Sequence, residues 1–155
     1  MTDPLALDRQ VCFAIAVASR SVISVYRPVL EPLGLTHPQY LVMLALWEQS
    51  PRRVGDIAET LYLDAATLSP LLKRLEANGL VTRARSATDE RSVDVDLTEA
   101  GRALRARAEQ VPATIVERLG VPLATLEGVR DELTHLIDAA VDATTRDRAG
   151  ESRAR

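Results

Sequence analysis

The stretch from Leu61 to Gly101, LYLDAATLSPLLKRLEANGLVTRARSATDERSVDVDLTEAG, decides the fold because its hydrophobic period changes partway along. Its first part predicts a helix over 65–78, with Asp64 as the N-cap and Gly79 as the C-cap. Four leucines at the i, i+3, i+4 and i+7 positions form the stripe that faces inward: Leu68, Leu71, Leu72 and Leu75. We therefore expect an amphipathic helix with one buried side and one free side.

After Gly79, apolar and polar side chains alternate, as they do in half-buried strands. Strands are predicted over 80–85 and 93–97, joined by an exposed polar loop over 86–92. A shorter helix over 54–61 precedes the amphipathic one. Two short helices followed by a hairpin are the order of a winged helix-turn-helix, whose second helix enters a major groove while the hairpin touches the neighbouring minor groove.

The free side of the predicted recognition helix carries hydroxyls and cations, the groups that contact phosphates and base edges. The candidate DNA-binding residues of this helix are Thr67, Ser69, Pro70, Lys73 and Arg74. The alternative is the solvated face of an ordinary helix, which this helix taken singly leaves open.

The hairpin tip carries Asp89 and Glu90 directly before Arg91. An arginine at a wing tip enters a minor groove, where negative potential is concentrated, and a neighbouring carboxylate can hold its guanidinium in one orientation. We expect Arg83 and Arg85, on the preceding strand, to lie towards the DNA phosphates. The alternative is an exposed ion pair, which is common and contributes little.

Upstream, a first helix is predicted from Asp8, as N-cap, to about Arg27, where Pro28 interrupts the regular pattern. Apolar residues cover this helix almost all round, and the core of one domain does not suffice to bury it. We therefore expect a partner subunit to cover it.

A second helix begins at the capping box of Thr36 and ends near Ser50. Beyond the hairpin, Thr98 caps a long helix that is broken near Pro112, and a last helix follows over about 123–144. The predicted fold class is mostly α with a small β-hairpin wing: a winged helix-turn-helix with N- and C-terminal dimerisation helices. The predicted regions are an N-terminal dimerisation helix over 1–35, a winged helix-turn-helix DNA-binding region over 36–100, C-terminal dimerisation helices over 101–145 and a flexible tail over 146–155.

Composition limits the class of function. A chain of 155 residues with 46% hydrophobic but only 3% aromatic residues favours one helical domain. Its formal net charge of -3 provides no bulk attraction to nucleic acid, so any DNA contact must come from a local patch. The segment 52–107 holds ten basic and nine acidic residues, which leaves nine basic and thirteen acidic ones elsewhere.

The single cysteine, Cys12, excludes an internal disulfide and a cysteine-rich zinc site, and it fits a reducing compartment. The apolar stretch 11–18 could be mistaken for a signal-peptide core, but it is short, Asp3 and Asp8 precede it and Arg20 interrupts it soon after. No run approaches the ~20 apolar residues that a membrane span needs. We predict a cytoplasmic protein with no membrane partner, no metal, no cofactor and no enzymatic activity.

Cys12 lies about one turn into the first helix, where the positive end of the helix dipole favours a thiolate, the form that attacks peroxides. Lone cysteines on apolar helices are, however, more often buried filler. The residues alone leave both interpretations open.

The stretch quoted first resembles the DNA-binding core of the MarR family of regulators. In that family the D-x-R of the wing, here Asp89 and Arg91, places the arginine in the minor groove. Two further segments, VCFAIAVASRSVISVYRPVL (11–30) and GLTHPQYLVMLALWE (34–48), resemble a MarR subgroup, the organic hydroperoxide resistance regulators.

This resemblance implies that Cys12 is the peroxidatic cysteine, held while reduced by tyrosine hydroxyls that come partly from the other subunit. Tyr26 matches one of these tyrosines, whereas Ala16 and His37 stand at two others. His37 either replaces a phenol as donor, favours the thiolate when charged, or is an exposed first-turn residue. With no second cysteine, a low-molecular-weight thiol would complete the response through a mixed disulfide, unless overoxidation does so.

The sequence thus predicts a homodimeric repressor that binds a pseudo-palindromic double-stranded DNA operator and releases it when an organic hydroperoxide oxidises Cys12. The nearest alternative is a MarR-type repressor released by a small aromatic ligand, with Cys12 incidental. A more distant alternative is a thiol peroxidase.

Overall fold

The computed structural model describes residues 3–153, with side chains described as far as residue 146. The chain divides into two units, Met1–Ile115 and Val116–Arg155. The helices are α1 (Val11–Leu30), α2 (His37–Glu48), α3 (Val54–Thr60), α4 (Ala65–Ala77), α5 (Glu99–Ala108), α6 (Val111–Leu119) and α7 (Leu123–Arg153), and the strands are β1 (Arg52–Arg53), β2 (Val81–Arg85) and β3 (Val93–Leu97). The fold is mostly helical with a small antiparallel sheet, which confirms the predicted class.

The sheet has the order β1-β3-β2, and both pairings are antiparallel. β2 and β3 form the predicted hairpin, in register from Val81 opposite Leu97 to Arg85 opposite Val93. β1 was not predicted, because two adjacent arginines show neither apolar alternation nor the length of an ordinary strand. It extends the wing by one short edge strand.

Three predicted helix starts are confirmed by their caps. The hydroxyl of Thr36 accepts from the backbone N–H of Gln39 at 3.4 Å while the Gln39 side chain accepts from the Thr36 N–H at 2.9 Å. Asp64 accepts from the N–H of Thr67 at 2.7 Å, and this backbone hydrogen bond holds the pKa of Asp64 below its ordinary value. Thr98 caps α5 through the N–H of Gly101 at 3.0 Å. Each cap satisfies an N–H that the helix leaves free.

The prediction of Asp8 as the N-cap of the first helix is wrong. Asp8 lies in a 3-10 helix, Leu7–Arg9, and α1 begins after Gln10 with no side-chain cap. The amide of Gln10 donates instead to the carbonyls of Pro4 and Ala6, which closes the 3-10 turn. At its other end α1 includes Pro28 and continues to Leu30, because a proline in the last turn removes only one of the helix's hydrogen bonds.

The last helix is longer than predicted. α7 begins at Leu123 as expected but continues to Arg153, so the segment 146–153 is helical where a flexible tail was predicted. No proline follows Pro122, and a helix interior tolerates the one glycine of that segment, Gly150, at a modest cost. The rest of that prediction, residues 154 and 155, lies outside the described residues. The predicted break near Pro112 is confirmed, since α5 ends at Ala108 and α6 begins at Val111.

The core of the first unit lies between α2, α3, α4 and the hairpin. Its fully buried side chains are Leu30, Val42, Met43, Leu46, Ile57, Leu68, Leu72, Leu75, Val81 and Val95. Only Leu30 represents α1 in this core. The other residues of α1 are exposed or only partly buried, although most of them are apolar.

The segment that contains α1 is longer and more apolar than the sequence analysis predicted, since no run of the length of a membrane span was expected. The segment Val11–Leu33 has a mean hydropathy of 1.3 and is long and apolar enough to cross a membrane by length and composition. Helices that pack inside soluble proteins pass the same test, so the finding is weak evidence for a membrane. Arg20 and Arg27 interrupt the segment, and isolated charges at membrane depth are costly.

Gly101 allows the hairpin to lie against α5. A Cβ at this position would collide with the carbonyl oxygen of Leu80 and would lie 3.2 Å from a methyl group of Leu97. The backbone N–H of Thr98 also donates to that Leu80 carbonyl, at 3.1 Å, so the carbonyl is not free to move. Only glycine fits this approach.

We therefore expect Gly101→Ala to lower the free energy of unfolding by about 1–3 kcal/mol, the usual cost of overpacking. Gly55→Ala is the matched control, because a Cβ at Gly55 meets nothing within 4 Å. Urea unfolding at one fixed protein concentration measures both variants. Equal stability of the two variants would contradict this account of the junction.

Candidate DNA interface and thiol site

α4 presents two distinct sides, as the leucine stripe predicts. Leu68, Leu72 and Leu75 are fully buried, whereas Leu71 is only partly buried and marks the edge of the stripe. The predicted DNA-binding side chains are all exposed: Thr67, Ser69, Pro70, Lys73 and Arg74. One surface of α4 thus combines small polar groups with two cations, the composition that contacts a DNA backbone and base edges.

Arg83 is engaged within the protein. Its guanidinium donates to the Glu76 carboxylate at 2.7 Å and 3.0 Å, and its backbone N–H donates to the other carboxylate oxygen at 3.1 Å. The side-chain hydrogen bonds from Arg83 also hold the pKa of Glu76 below its ordinary value. The structure thus places Arg83 as a link between α4 and β2, whereas Arg85 is exposed and forms no ion pair with the described residues.

At the wing tip, Asp89 shapes the turn that presents Arg91. Its carboxylate accepts from the backbone N–H of Arg91 at 3.0 Å, and its carbonyl accepts from the N–H of Ser92 at 2.9 Å. We expected a carboxylate to hold the Arg91 guanidinium. The Asp89 carboxylate instead binds the backbone N–H of Arg91. The arginine side chain is exposed, and it forms no ion pair with the side chains of residues 3–146.

A polar cluster at the base of the wing was not predicted. The hydroxyl of Ser50 donates to Asp96 at 2.6 Å and accepts from the N–H of Leu97 at 3.0 Å, while Arg102 donates to the same Asp96 oxygen at 3.0 Å. These residues join the end of α2 to β3 and α5. Sequence periodicity carries no signal for such a cluster, because its members lie far apart along the chain.

Cys12 is exposed at the second position of α1. Tyr26 lies on the same helix, about 21 Å further along its axis at ~1.5 Å per residue. The structure therefore does not bring the predicted sensor residues together within one chain. A contact between Cys12 and Tyr26 requires a second copy.

The other two predicted sensor residues do meet. The rings of Tyr26 and His37 lie edge to face with centroids 4.9 Å apart. Burial raises the pKa of Tyr26 and lowers that of His37, so near pH 7 the phenol keeps its proton and the imidazole is neutral. The Tyr26 hydroxyl and the His37 ring nitrogens can form hydrogen bonds with a thiol. The lowered pKa of His37 disfavours a cationic role for this residue.

Tyr40 extends this aromatic group and was not predicted. Its ring lies 6.1 Å from that of Tyr26 and 6.5 Å from that of Trp47 by centroid distance, and the side chain is buried. Tyr40 was not predicted because its position within the apolar run of α2 is typical of a core residue. Tyr40 thus links the Tyr26 ring to the buried side of α2.

An amphipathic helix with an exposed polar side, followed by a hairpin wing, defines a winged-helix DNA-binding protein. The family described as transcriptional regulator SarA/Rot matches residues 24–107. The organic hydroperoxide resistance transcriptional regulator of Bacillus subtilis is 46% identical over 74% of this chain and 78% of its own length. The regulator TtmR of Methylorubrum extorquens is 43% identical over 88% of this chain and 70% of its own length.

Solved structures agree with these sequence matches. Reduced AbfR bound to DNA matches with a TM-score of 0.71 and 34% identity, covering 87% of this chain and 94% of that one. CouR bound to a DNA duplex matches with a TM-score of 0.73 and 30% identity, covering 90% and 99%. The chain belongs to the MarR/SarA family of winged-helix transcriptional regulators. Its relatives include the organic hydroperoxide resistance regulators, as the sequence resemblance implied.

The wing predicts the effect of removing its exposed arginine. We expect Arg91→Ala to weaken operator binding by about 1–3 kcal/mol without changing helix content, because the side chain is free and the turn is held by the backbone. Glu90→Ala, in the same loop but of opposite charge, should leave the affinity unchanged or raise it. Fluorescence anisotropy with a labelled operator measures both. An Arg91→Ala affinity equal to that of wild type at physiological salt would remove the wing from the interface.

Proposed function

We propose that this protein is a homodimeric transcriptional repressor that releases its double-stranded operator when an organic hydroperoxide oxidises Cys12. The observation that carries the proposal is the arrangement of α1, which exposes Cys12 near one end and packs Tyr26 against His37 near the other. A cysteine and a hydrogen-bonding group on one rigid helix can act on each other only across two copies. The name of the Bacillus subtilis relative supports this chemistry.

Unpartnered apolar surface supports the dimer. On α1, Val11 is 65% exposed and Phe13 is 39% exposed. α7 carries a second apolar set at helical spacing, each member 38% to 51% exposed: Val129, Leu133, Leu136, Ile137 and Val141. Such surface is usually covered by another subunit, and a two-fold dimer presents two recognition helices about one DNA turn, ~10 bp, apart. That spacing fits a pseudo-palindromic operator.

The oxidation step uses one thiol and one hydroperoxide. The Cys12 thiolate attacks the terminal peroxide oxygen, the O–O bond breaks, and the alcohol leaves after taking up a proton, which yields a sulfenic acid. A low-molecular-weight thiol then displaces water from the sulfenic acid and forms a mixed disulfide. Because the sequence contains no second cysteine, this external thiol replaces an internal resolving partner.

DNA release follows from a change in dimer geometry. The reduced thiol accepts or donates hydrogen bonds in the neutral pocket of the partner's Tyr26 and the partner's His37, and a bulkier oxidised sulfur no longer fits there. Oxidation thus favours a dimer whose recognition helices are displaced from successive grooves. The proposed mechanism uses no bound cofactor, and we propose that the protein acts in the cytoplasm, where its operator lies.

Release by a small ligand is the second candidate. A groove of about 530 Å³ lies beside His37 and is lined by Ile23, Arg27 and Leu35 among others. CouR of Rhodococcus jostii, solved with p-coumaroyl-CoA, is a structural neighbour at 27% identity and a TM-score of 0.72. The 46% identity to the hydroperoxide resistance regulator favours oxidation over this alternative. In either case we propose a regulator and not a thiol peroxidase, because the sequence contains no second cysteine to resolve the sulfenic acid.

Assembly gives the first test. Sedimentation at micromolar concentration should show a dimer of the 16.9 kDa chain. Ile23→Arg places a charge on exposed apolar surface of α1 and should raise the dimer dissociation constant, whereas Ser24→Arg, between Arg20 and Arg27 on the polar side, should not. A stable wild-type monomer would contradict the palindromic operator and the sensing scheme together.

The switch gives the second test. Cys12→Ser keeps the size of the side chain and a hydrogen-bond donor but removes the nucleophile, so this variant should bind the operator and stay bound after cumene hydroperoxide is added. Wild type should dissociate, and a reducing thiol should restore its binding. Gel-shift titrations with and without peroxide measure both. Equal release of the two proteins would make Cys12 incidental and favour the small-ligand mechanism.

A further inference from the structure

The exposed side of α4 carries the only lysine of the sequence. Of the 19 lysine and arginine residues, Lys73 alone is a lysine. A deprotonated lysine amine attacks acyl donors and becomes a neutral amide, whereas an arginine guanidinium remains charged in proteins. Acylation of the side-chain cations is therefore confined to a single position, and that position lies on the recognition helix.

The neighbouring carboxylate does not shield this amine. Glu76 follows Lys73 by three residues, the spacing at which helix residues form ion pairs. Both Glu76 oxygens are engaged by Arg83, one by its backbone N–H and the other by its guanidinium. Lys73 is exposed, and no ion pair to it is formed within the described residues. The amine is thus accessible both to a DNA phosphate and to a reagent from solution.

On the basis of the proposed repressor function, we propose that Lys73 is an acylation site that switches off operator binding independently of Cys12. The donor is an acyl phosphate or an acyl thioester. The free amine attacks the acyl carbonyl carbon, a C–N bond forms, and the C–O bond to phosphate or the C–S bond to the thiol breaks. The leaving group takes the electron pair, and the amine proton passes to solvent. No group changes oxidation state.

Loss of this charge acts on both recognition helices of a dimer. Each acylated Lys73 removes one positive charge from the DNA-binding surface. Arg83 on this surface is already paired with Glu76, so few unpaired cations remain there. Each lost phosphate contact makes the dependence of log affinity on log salt shallower by about 0.9, or about 1.8 for two copies. The affinity for the operator falls accordingly, by at least about tenfold near 0.1 M salt.

The same contact makes acylation sensitive to DNA. A lysine amine held against a phosphate is covered, so it cannot attack an acyl donor while the operator is bound. Operator binding and acylation exclude each other at Lys73. The rate of acylation should therefore fall in proportion to the fraction of protein that is bound to the operator. Free repressor is therefore the form that is modified.

Acetyl phosphate is the probe. Reduced wild-type protein is treated with it, Lys73 occupancy is measured by peptide mass spectrometry, and operator affinity is measured across a salt series before and after treatment. We expect modification at Lys73, an affinity loss of at least about tenfold at 0.1 M salt and a salt slope shallower by about 1.8. Saturating operator should suppress modification, and a scrambled duplex should suppress it less.

Lys73→Arg is the matched control, because it keeps the cation and removes the amine. Each protein is compared with itself, treated against untreated, and only wild type should change. Lys73 modified without loss of affinity, Lys73 left unmodified, or equal affinity loss in Lys73→Arg would each overturn this inference and leave the repressor function intact. Untreated wild type that fails to bind the operator would instead overturn the proposed function and this inference with it.

Discussion

The close approach of the hairpin to α5 at Gly101 is the constraint on which the DNA-binding half depends. The indole N–H of Trp47 donates to the Gly101 carbonyl at 2.9 Å, and the Leu80 carbonyl lies against the Gly101 Cα while it accepts from Thr98. One glycine thus joins α2, the end of the recognition helix, the wing and α5. A side chain there would separate these elements, and the recognition helix and wing could not be held in one geometry.

The same junction connects the aromatic group to the DNA-binding elements. α2 begins beside Tyr26 with His37, and its last turn carries Trp47 at the junction. Ser50 follows the helix and contacts Asp96 of the wing. A helix transmits displacement along its axis with little loss because its core contacts are tightly packed. In the proposed switch, α2 is therefore the element that links the aromatic group to the wing and α5, because Trp47 and Ser50 hydrogen-bond to the backbones of Gly101 and Leu97.

Local signals in the sequence predict most of the fold but few of the side-chain contacts within the site. The caps at Thr36 and Asp64 and the change of period after Gly79 are encoded within a few residues, and the structure confirms them. The start of α1 was mispredicted because Asp8 suits a 3-10 turn as well as an α-helix cap. The Ser50–Asp96 contact was invisible because periodicity reports which side is buried and not which polar groups meet across the fold. For the same reason the sequence assigned Arg83 to DNA, when Glu76 already holds it.

The net charge of -3 is consistent with the proposal that a modest change of dimer geometry suffices to release DNA. A strongly basic protein would stay on DNA through non-specific attraction after its specific contacts were lost. Here the 19 basic residues are balanced by 22 acidic ones, so in the proposed dimer useful affinity requires both recognition helices and both wings to contact the operator at once. Binding of the second half-site is then effectively intramolecular, and its contribution disappears when the spacing no longer matches one DNA turn. In the proposed mechanism, a weakly charged dimer with a fixed span thus loses more affinity when Cys12 is oxidised than a strongly basic dimer would.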